Sequence, residues 1–206
     1  MNLVKYQTRK FQSIIDVDDI DYIDGIKLGK THLKWKGIPL LKDPMMFSIY
    51  VQILQDLKPK TILEFGTGSG GSSIFMRDIA QCKVHTFDIN AENELEGEDN
   101  IFFHHLDLNH ISSFVKDNTN LFLNLEHPIF LVEDSHTNIV GTLNEMDKFL
   151  IPGDYISVED TLAEKNYTCL DQFMQKNNNK YLVDTYYCDF WGLNNSWNVN
   201  SFLVKV

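Results

Sequence analysis

Residues 61–80 read TILEFGTGSGGSSIFMRDIA: a short apolar run, a carboxylate, a cluster of small residues, then helical spacing. An apolar strand that turns through glycines into a helix leaves unpaired backbone N–H groups at the helix start, where a ligand's polar groups approach without Cβ obstruction. The stretch predicts a strand, a turn and a helix with a ligand site at the corner. Gly66, Gly68 and Gly71 satisfy the G-x-G-x-x-G spacing of dinucleotide-binding folds, so the glycines alone do not choose the ligand. Glu64 does. Two positions before the first glycine, it repels a pyrophosphate and attracts an ammonium or a sulfonium, and S-adenosylmethionine carries both. The expected cofactor cradle is Glu64, Gly66, Thr67, Gly68, Ser69, Gly71 and Ser72.

Upstream, GIPLLKDPMMFSIYVQILQDLKPK sets Pro44 in a first helical turn and repeats Met46, Phe47, Ile49, Tyr50, Ile53, Leu54 and Leu57 at helical intervals, stopping before Pro59. Downstream, KVHTFDIN reads as a second strand, AENELEGEDN as a solvated loop and IFFHHLDL as a third strand. HPIFLVEDSH and GDYISVEDT supply a fourth and a fifth, with the helical TNIVGTLNEMDKFL between them. TLAEKNYTCLDQFMQKNNNK is a further helix, and YLVDTYYCDF and SFLVKV are two late strands joined across the polar GLNNSWNVN. This alternation predicts an α/β fold: a largely parallel sheet with right-handed crossovers, helices on both faces, and the final two strands antiparallel.

A chain of 206 residues fits one domain with a three-layer core. Its hydrophobic fraction of 43% and charged fraction of 23% are those of an ordinary globular protein, so no disordered composition dominates. A formal net charge of -11 opposes a phosphate backbone, which excludes nucleic acid as the expected partner. Cys82, Cys169 and Cys188 are odd in number, far apart and without metal-ligand spacing, which fits isolated thiols in a reducing compartment. The first 24 residues hold neither a continuous apolar core for export nor a membrane-length span, so the expected location is cytoplasmic, away from membranes.

Ligands on such sheets bind outside the carboxyl ends of the strands. The residues there are Glu64, Asp88, Asp107, Asp134, and Glu159 with Asp160, all acidic. Asp88 lies about 20 residues beyond the glycine turn, where a carboxylate accepts ribose hydroxyls of an adenosine. Asp107 is placed either to receive an adenine amino group or to cap a helix. Asp134, Glu159 and Asp160 come from adjacent strands with no Lys or Arg in either motif, so they would repel one another unless a hard divalent cation, Mg²⁺ or Mn²⁺, relieved them. His136 either takes a proton from an acceptor hydroxyl or caps the next turn. His104 and His105 with Asp107 do not make an iron site, since adjacent strand residues face opposite sides.

The order WKGIPLLKDPMMFSIY, TILEFGTGSGGSSIF, VEDSHTNIV, GDYISVEDT resembles the cephalosporin hydroxylase family, metal-dependent S-adenosylmethionine methyltransferases despite the name, related to macrolide-sugar O-methyltransferases. The most specific parts are the E-x-G-T-x-x-G-G-S turn, Glu64 to Ser72, and a D-x-x-H-like segment, Asp134 to His136, with the pair Glu159 and Asp160. The resemblance implies a seven-stranded Rossmann-like fold of the class I methyltransferase type, with cofactor at the first turn and Mg²⁺ on Asp134, Glu159 and Asp160. The expected reaction is O-methyl transfer from S-adenosylmethionine to a small hydroxylated acceptor: a sugar diol, a catechol or a natural-product intermediate. Asp134 then serves cofactor, cation and catalysis together, and His136 is the catalytic partner. Residues 1–43 are expected to form a substrate-side segment before a 44–206 core, with acceptor specificity there, in the 192–200 loop, and in the aromatic set Trp35, Tyr50, Trp191 and Trp197. Self-association into a homo-oligomer is left open. Two alternatives stand beside this reading: a nicotinamide-dependent oxidoreductase, disfavoured by Glu64 and the lack of a Tyr-x-x-x-Lys pair, and a non-catalytic binding protein.

Overall fold

The computed structural model describes residues 2–13 and 33–206. In chain order the elements are β1 (Leu3–Val4), β2 (Lys34–Trp35), β3 (Ile38–Pro39), α1 (Pro44–Leu57), β4 (Thr61–Phe65), α2 (Gly71–Ala80), β5 (Lys83–Asp88) and β6 (Ile101–His105). There follow α3 (Ile111–Asp117), α4 (Thr119–Leu123), β7 (Ile129–Glu133), α5 (Ile139–Met146), β8 (Tyr155–Val158), α6 (Glu164–Asn177), β9 (Tyr181–Asp184), α7 (Thr185–Cys188) and β10 (Phe202–Lys205).

The main sheet has the order β1-β9-β10-β8-β7-β4-β5-β6. Strands β8, β7, β4, β5 and β6 are parallel, and β10 runs antiparallel to both β8 and β9. The expected α/β architecture with antiparallel late strands is the observed one. It carries an eighth strand beyond the seven that the family resemblance implied: Leu3–Val4 pairs with Val183 and Asp184 at the edge. Two residues are too short to show periodicity, which is why the pattern did not reveal this strand.

Local chemistry sets the boundaries. The Asp43 side chain accepts from Met45 N (2.7 Å) and Met46 N (3.0 Å), and Pro44 follows in the first turn, where its missing N–H costs nothing. Helix α1 then buries Met46, Ile49, Tyr50, Ile53 and Leu54 against the sheet, each aliphatic contributing roughly 1.5–3 kcal/mol. The segment YLVDTYYCDF is not one strand. Asp184 accepts from Tyr186 N at 3.1 Å and starts the short helix α7, so its side chain acts as a cap where alternation alone reads on.

Register brings the strand ends together. Phe65 pairs with Phe87 on one side and Glu133 on the other, and Glu133 pairs with Val158. The bonds run on past the strands: Gly66 N to Phe87 O (2.8 Å), Asp134 N to Phe65 O (2.7 Å) and Glu159 N to Glu133 O (2.8 Å). Strands β4, β7 and β8 are buried along their whole length, so their polar ends emerge at one edge. Among the described residues, no helix is long and apolar enough to cross a membrane.

Candidate active site

A cleft of about 580 Å³ opens at that edge, lined by the glycine turn on one side and by Asp134, Ser135, His136, Thr137 and Asp160 on the other. Ile89, Leu106, Asp107 and Leu108 form a third wall. Two glycines make the junction. Gly66 holds φ 109°, and a Cβ there would lie 2.7 Å from the Asp134 carbonyl. Gly71 lies against the Pro39 carbonyl, leaving no room for a side chain.

The glycine turn neutralises its own carboxylates. Glu64 is fully buried beneath it and accepts from the Ser72, Ser73 and Thr86 hydroxyls. Burial pushes the Glu64 carboxyl above its ordinary range, and the hydroxyls oppose that rise. Glu64 therefore does not line the cleft. Asp88 does: its Oδ2 accepts from Thr67 N (2.9 Å) and Gly68 N (3.0 Å), and its Oδ1 from Asn90 N (2.9 Å). Both lone pairs of Oδ2 are thereby engaged, whereas Oδ1, with one bond, keeps acceptor capacity. Asp107 also lines it, and caps a 3₁₀ turn by accepting from Asn109 N at 2.9 Å, so both geometric roles expected of it are available. Thr67, Gly68, Ser69 and Ser72 line the cleft as well, Ser72 while donating to Glu64.

At the other end, Asp134, His136 and Asp160 bring one ligand atom each to within 4.8 Å of one another. His136 Nε2 is 3.3 Å from Asp160 Oδ2 and 3.6 Å from Asp134 Oδ1, and the Asn166 amide, 3.2 Å from Nδ1, orients the ring. The bond to Asp160 raises the imidazole above its ordinary value; burial opposes this and Asp134 adds to it. His136 (φ 56°) and Asp160 (φ 53°) both adopt left-handed backbone, which is uncommon for such residues and concentrates at functional sites. The Asn198 amide oxygen accepts from Asp160 N at 3.1 Å and supports that turn.

Glu159 is placed differently from its expected neighbours. It is 5% exposed, and its Oε1 takes both the Lys42 ammonium (2.5 Å) and the Tyr50 hydroxyl (2.5 Å). Lys42 also reaches Asp134 Oδ2 at 3.1 Å. The expectation that no cation answers these carboxylates is thereby corrected: the neutralising group comes from outside both motifs. Burial alone would lower the Lys42 pKa, yet Asp134 and Glu159 hold the ammonium above its usual range. Burial lifts Glu159 to about 7, with Asp134 adding to the rise and Lys42 opposing it. Glu133, one residue before Asp134, is also pushed up to about 7 by burial; its Oε1 takes the Ser135 hydroxyl while its Oε2 has no partner.

The remaining expectations sort by geometry. His104 faces His85 (Nε2 to Nδ1, 3.0 Å), whereas His105 turns to the Ile89 carbonyl (2.8 Å), on opposite sides of the strand as expected. Trp35 donates to Asp78 at 2.8 Å and packs on Phe47 and Phe75, away from the cleft lining. Tyr50 is buried under Glu159; Trp191 is half exposed and donates to Ser48 at 2.9 Å. Of residues 1–43, Pro39, Leu40 and Leu41 line the cleft, Leu3–Val4 joins the sheet, and residues 14–32 lie outside the described residues.

Fold and cleft define the class: a Rossmann-like α/β protein of the class I methyltransferase architecture. Residues 29–192 match the Rhamnosyl O-methyltransferase/CmcI family, and the chain belongs to that family. It is 29% identical over 139 residues to the Rhamnosyl O-methyltransferase of Mycobacterium leprae (strain TN), a match covering 62% of this chain. That match spans 59% of the relative's length. A structure of CmcI with Mg and SAM superposes with a TM-score of 0.72 at 23% identity, covering 95% of this chain and 82% of that one. A CmcI structure with SAH gives a TM-score of 0.67 at 23% identity, covering 94% and 88%.

Proposed function

We propose that this protein is an S-adenosylmethionine-dependent, divalent-cation-dependent O-methyltransferase acting on a small hydroxylated molecule, a sugar diol, catechol or natural-product intermediate. The observation that carries the reading is the meeting, in one cleft, of a Cβ-free backbone turn and a carboxylate–imidazole cluster. Family membership supports it, as do the relatives' names. The donor set fits a hard cation: Asp134 and Asp160 offer carboxylate oxygens within a few ångströms of each other, with Glu159 behind them and His136 beside them. The turn fits an adenosyl cofactor: Asp88 retains acceptor capacity for ribose hydroxyls, Ile89 and Leu106 supply apolar wall, and the volume lies in the range of small-molecule sites.

In this reading the Gly66–Ser72 turn and Asp88 hold S-adenosylmethionine, and Asp107 faces its base. Asp134 and Asp160 hold the acceptor side in register with it, and His136, beside Asp160, is the general base for the acceptor's proton. A bound divalent cation supplies Lewis-acid polarisation of the acceptor hydroxyl. The walls exclude water while the methyl group passes from sulfur to oxygen. Residues 1–43 are proposed as a substrate-side segment of one domain, supported by Pro39, Leu40 and Leu41 in the cleft wall.

Calorimetry with S-adenosylmethionine and NAD, followed by a screen of hydroxylated acceptors with methyl-labelled cofactor, tests the proposal. Binding of S-adenosylmethionine and label transfer abolished by EDTA are expected. Binding of NAD alone would refute it, and transfer indifferent to EDTA would remove the cation.

A further inference from the structure

Lys42 reaches the acidic end of the cleft from a segment pinned on both sides. Ser69 donates to the Pro39 carbonyl at 3.0 Å, Gly71 packs on that same carbonyl, and Asp43 caps α1 through Met45 N and Met46 N. Between these anchors Leu41 adopts φ 54° and lines the cleft, while the Lys42 side chain turns inward and is 1% exposed. Its ammonium lies against Asp134 Oδ2 and Glu159 Oε1, from two different strand ends, and 5.1 Å from the centre of the Tyr50 ring. A buried ammonium is tolerated only when paired, and the reverse holds here as well: two carboxylates converge around one buried cation supplied by the chain itself.

We propose that Lys42 is a resident counter-ion, which holds Asp134 and Glu159 together in the cation-free protein and competes with the divalent cation for their oxygens. This rests on the reading that the acidic end takes a divalent cation. Two positive charges sharing the same carboxylates repel at short range, so the arriving ion either displaces the ammonium or binds against it, and both weaken its hold. In exchange the site is assembled in advance, without the ordering cost of gathering repelling carboxylates at the moment of binding. Lys42 is thus a positioning residue. A lysine kept only for packing gives the opposite expectation, since its loss would loosen the ligands and weaken cation binding.

The test uses the full chain with MnCl₂ as the probe, no S-adenosylmethionine present, and free Mn²⁺ read by electron paramagnetic resonance. Lys42→Met is expected to bind Mn²⁺ at least about tenfold more tightly than wild type, because an opposing unit charge is gone. Without cation it should melt lower than wild type, and saturating MnCl₂ should raise its melting temperature more. Lys42→Arg, which keeps the charge, should stay near wild-type affinity. Equal or weaker Mn²⁺ binding by a folded Lys42→Met overturns the proposal and leaves the cation site standing; absence of Mn²⁺ binding in wild type and Lys42→Met alike overturns the cation reading itself. Should Lys42→Met not fold unaided, refolding in MnCl₂ decides: recovery of the circular dichroism spectrum supports an exchangeable counter-ion, and failure to recover overturns it.

Discussion

At the glycine turn, Glu64 is satisfied by the hydroxyls of Ser72, Ser73 and Thr86, and Asp88 by the N–H groups of Thr67 and Gly68. At the acidic end, Asp134 and Glu159 share the ammonium of Lys42, and His136 lies against Asp160. The first set is neutral partners close in sequence or on the neighbouring strand; the second is charges from three separate parts of the chain. Neutral hydrogen bonds leave the turn indifferent to added ions, whereas the charged end keeps groups whose protonation lies near neutral pH. The two ends should therefore answer differently to the same perturbation.

The sharpest separation comes from Asp160→Asn, which is expected to lower cation-stimulated turnover by about 100-fold or more while leaving S-adenosylmethionine affinity within a few fold. Steady-state rates beside calorimetry check it, and a parallel loss of cofactor affinity would mean that the ends are not separable. Gly66→Ala should break the separation instead, because its Cβ would meet the Asp134 main chain at 2.7 Å in a backbone conformation with φ 109°. A stability loss of about 2–4 kcal/mol in urea is expected, with cofactor and Mn²⁺ binding weakened together.

The smallest effect belongs to Glu133. Burial raises its carboxyl from 4.5 to about 7, so between those values the folded protein holds a proton that the unfolded chain has released. The stability contributed by that proton is present below about 4.5 and lost as pH rises through about 7. Glu133→Gln stays neutral throughout. Its stability relative to wild type should climb with pH across that window, by about 2–3 kcal/mol in all. Denaturant melts at several pH values would show this, and a difference independent of pH would disprove the assignment.

The turn was legible because its determinants are local. An apolar run, four glycines and the serines that answer Glu64 all fall within residues 61–80, although the sequence suggested a cofactor ammonium for Glu64 where the fold supplies hydroxyls from the same motif. The acidic end was legible as a set of strand-ending carboxylates, since strand ends follow from pattern and parallel sheets gather them. Its counter-charge was not. Lys42 lies 92 positions from Asp134 and 117 from Glu159, in an apolar, proline-containing stretch where a lysine reads as surface. The anchors at Pro39 and Asp43, with the contact of α1 and β8 through Tyr50 and Ser157 at 3.2 Å, turn it inward. Leu3–Val4 and the cap at Asp184 were missed for the related reason that two residues and one side-chain bond leave no period.

The 2.7 Å bond from Asp134 N–H to the Phe65 carbonyl, with Gly66 pressed on the next peptide, Asp134–Ser135, ties the two ends of the cleft by main chain. Their separation is a fixed ruler, set by strand pairing and not by any rotamer. Rim side chains such as Leu41 and Ile89 can then be exchanged to admit a different guest, while the reach over which a group must travel stays the same length.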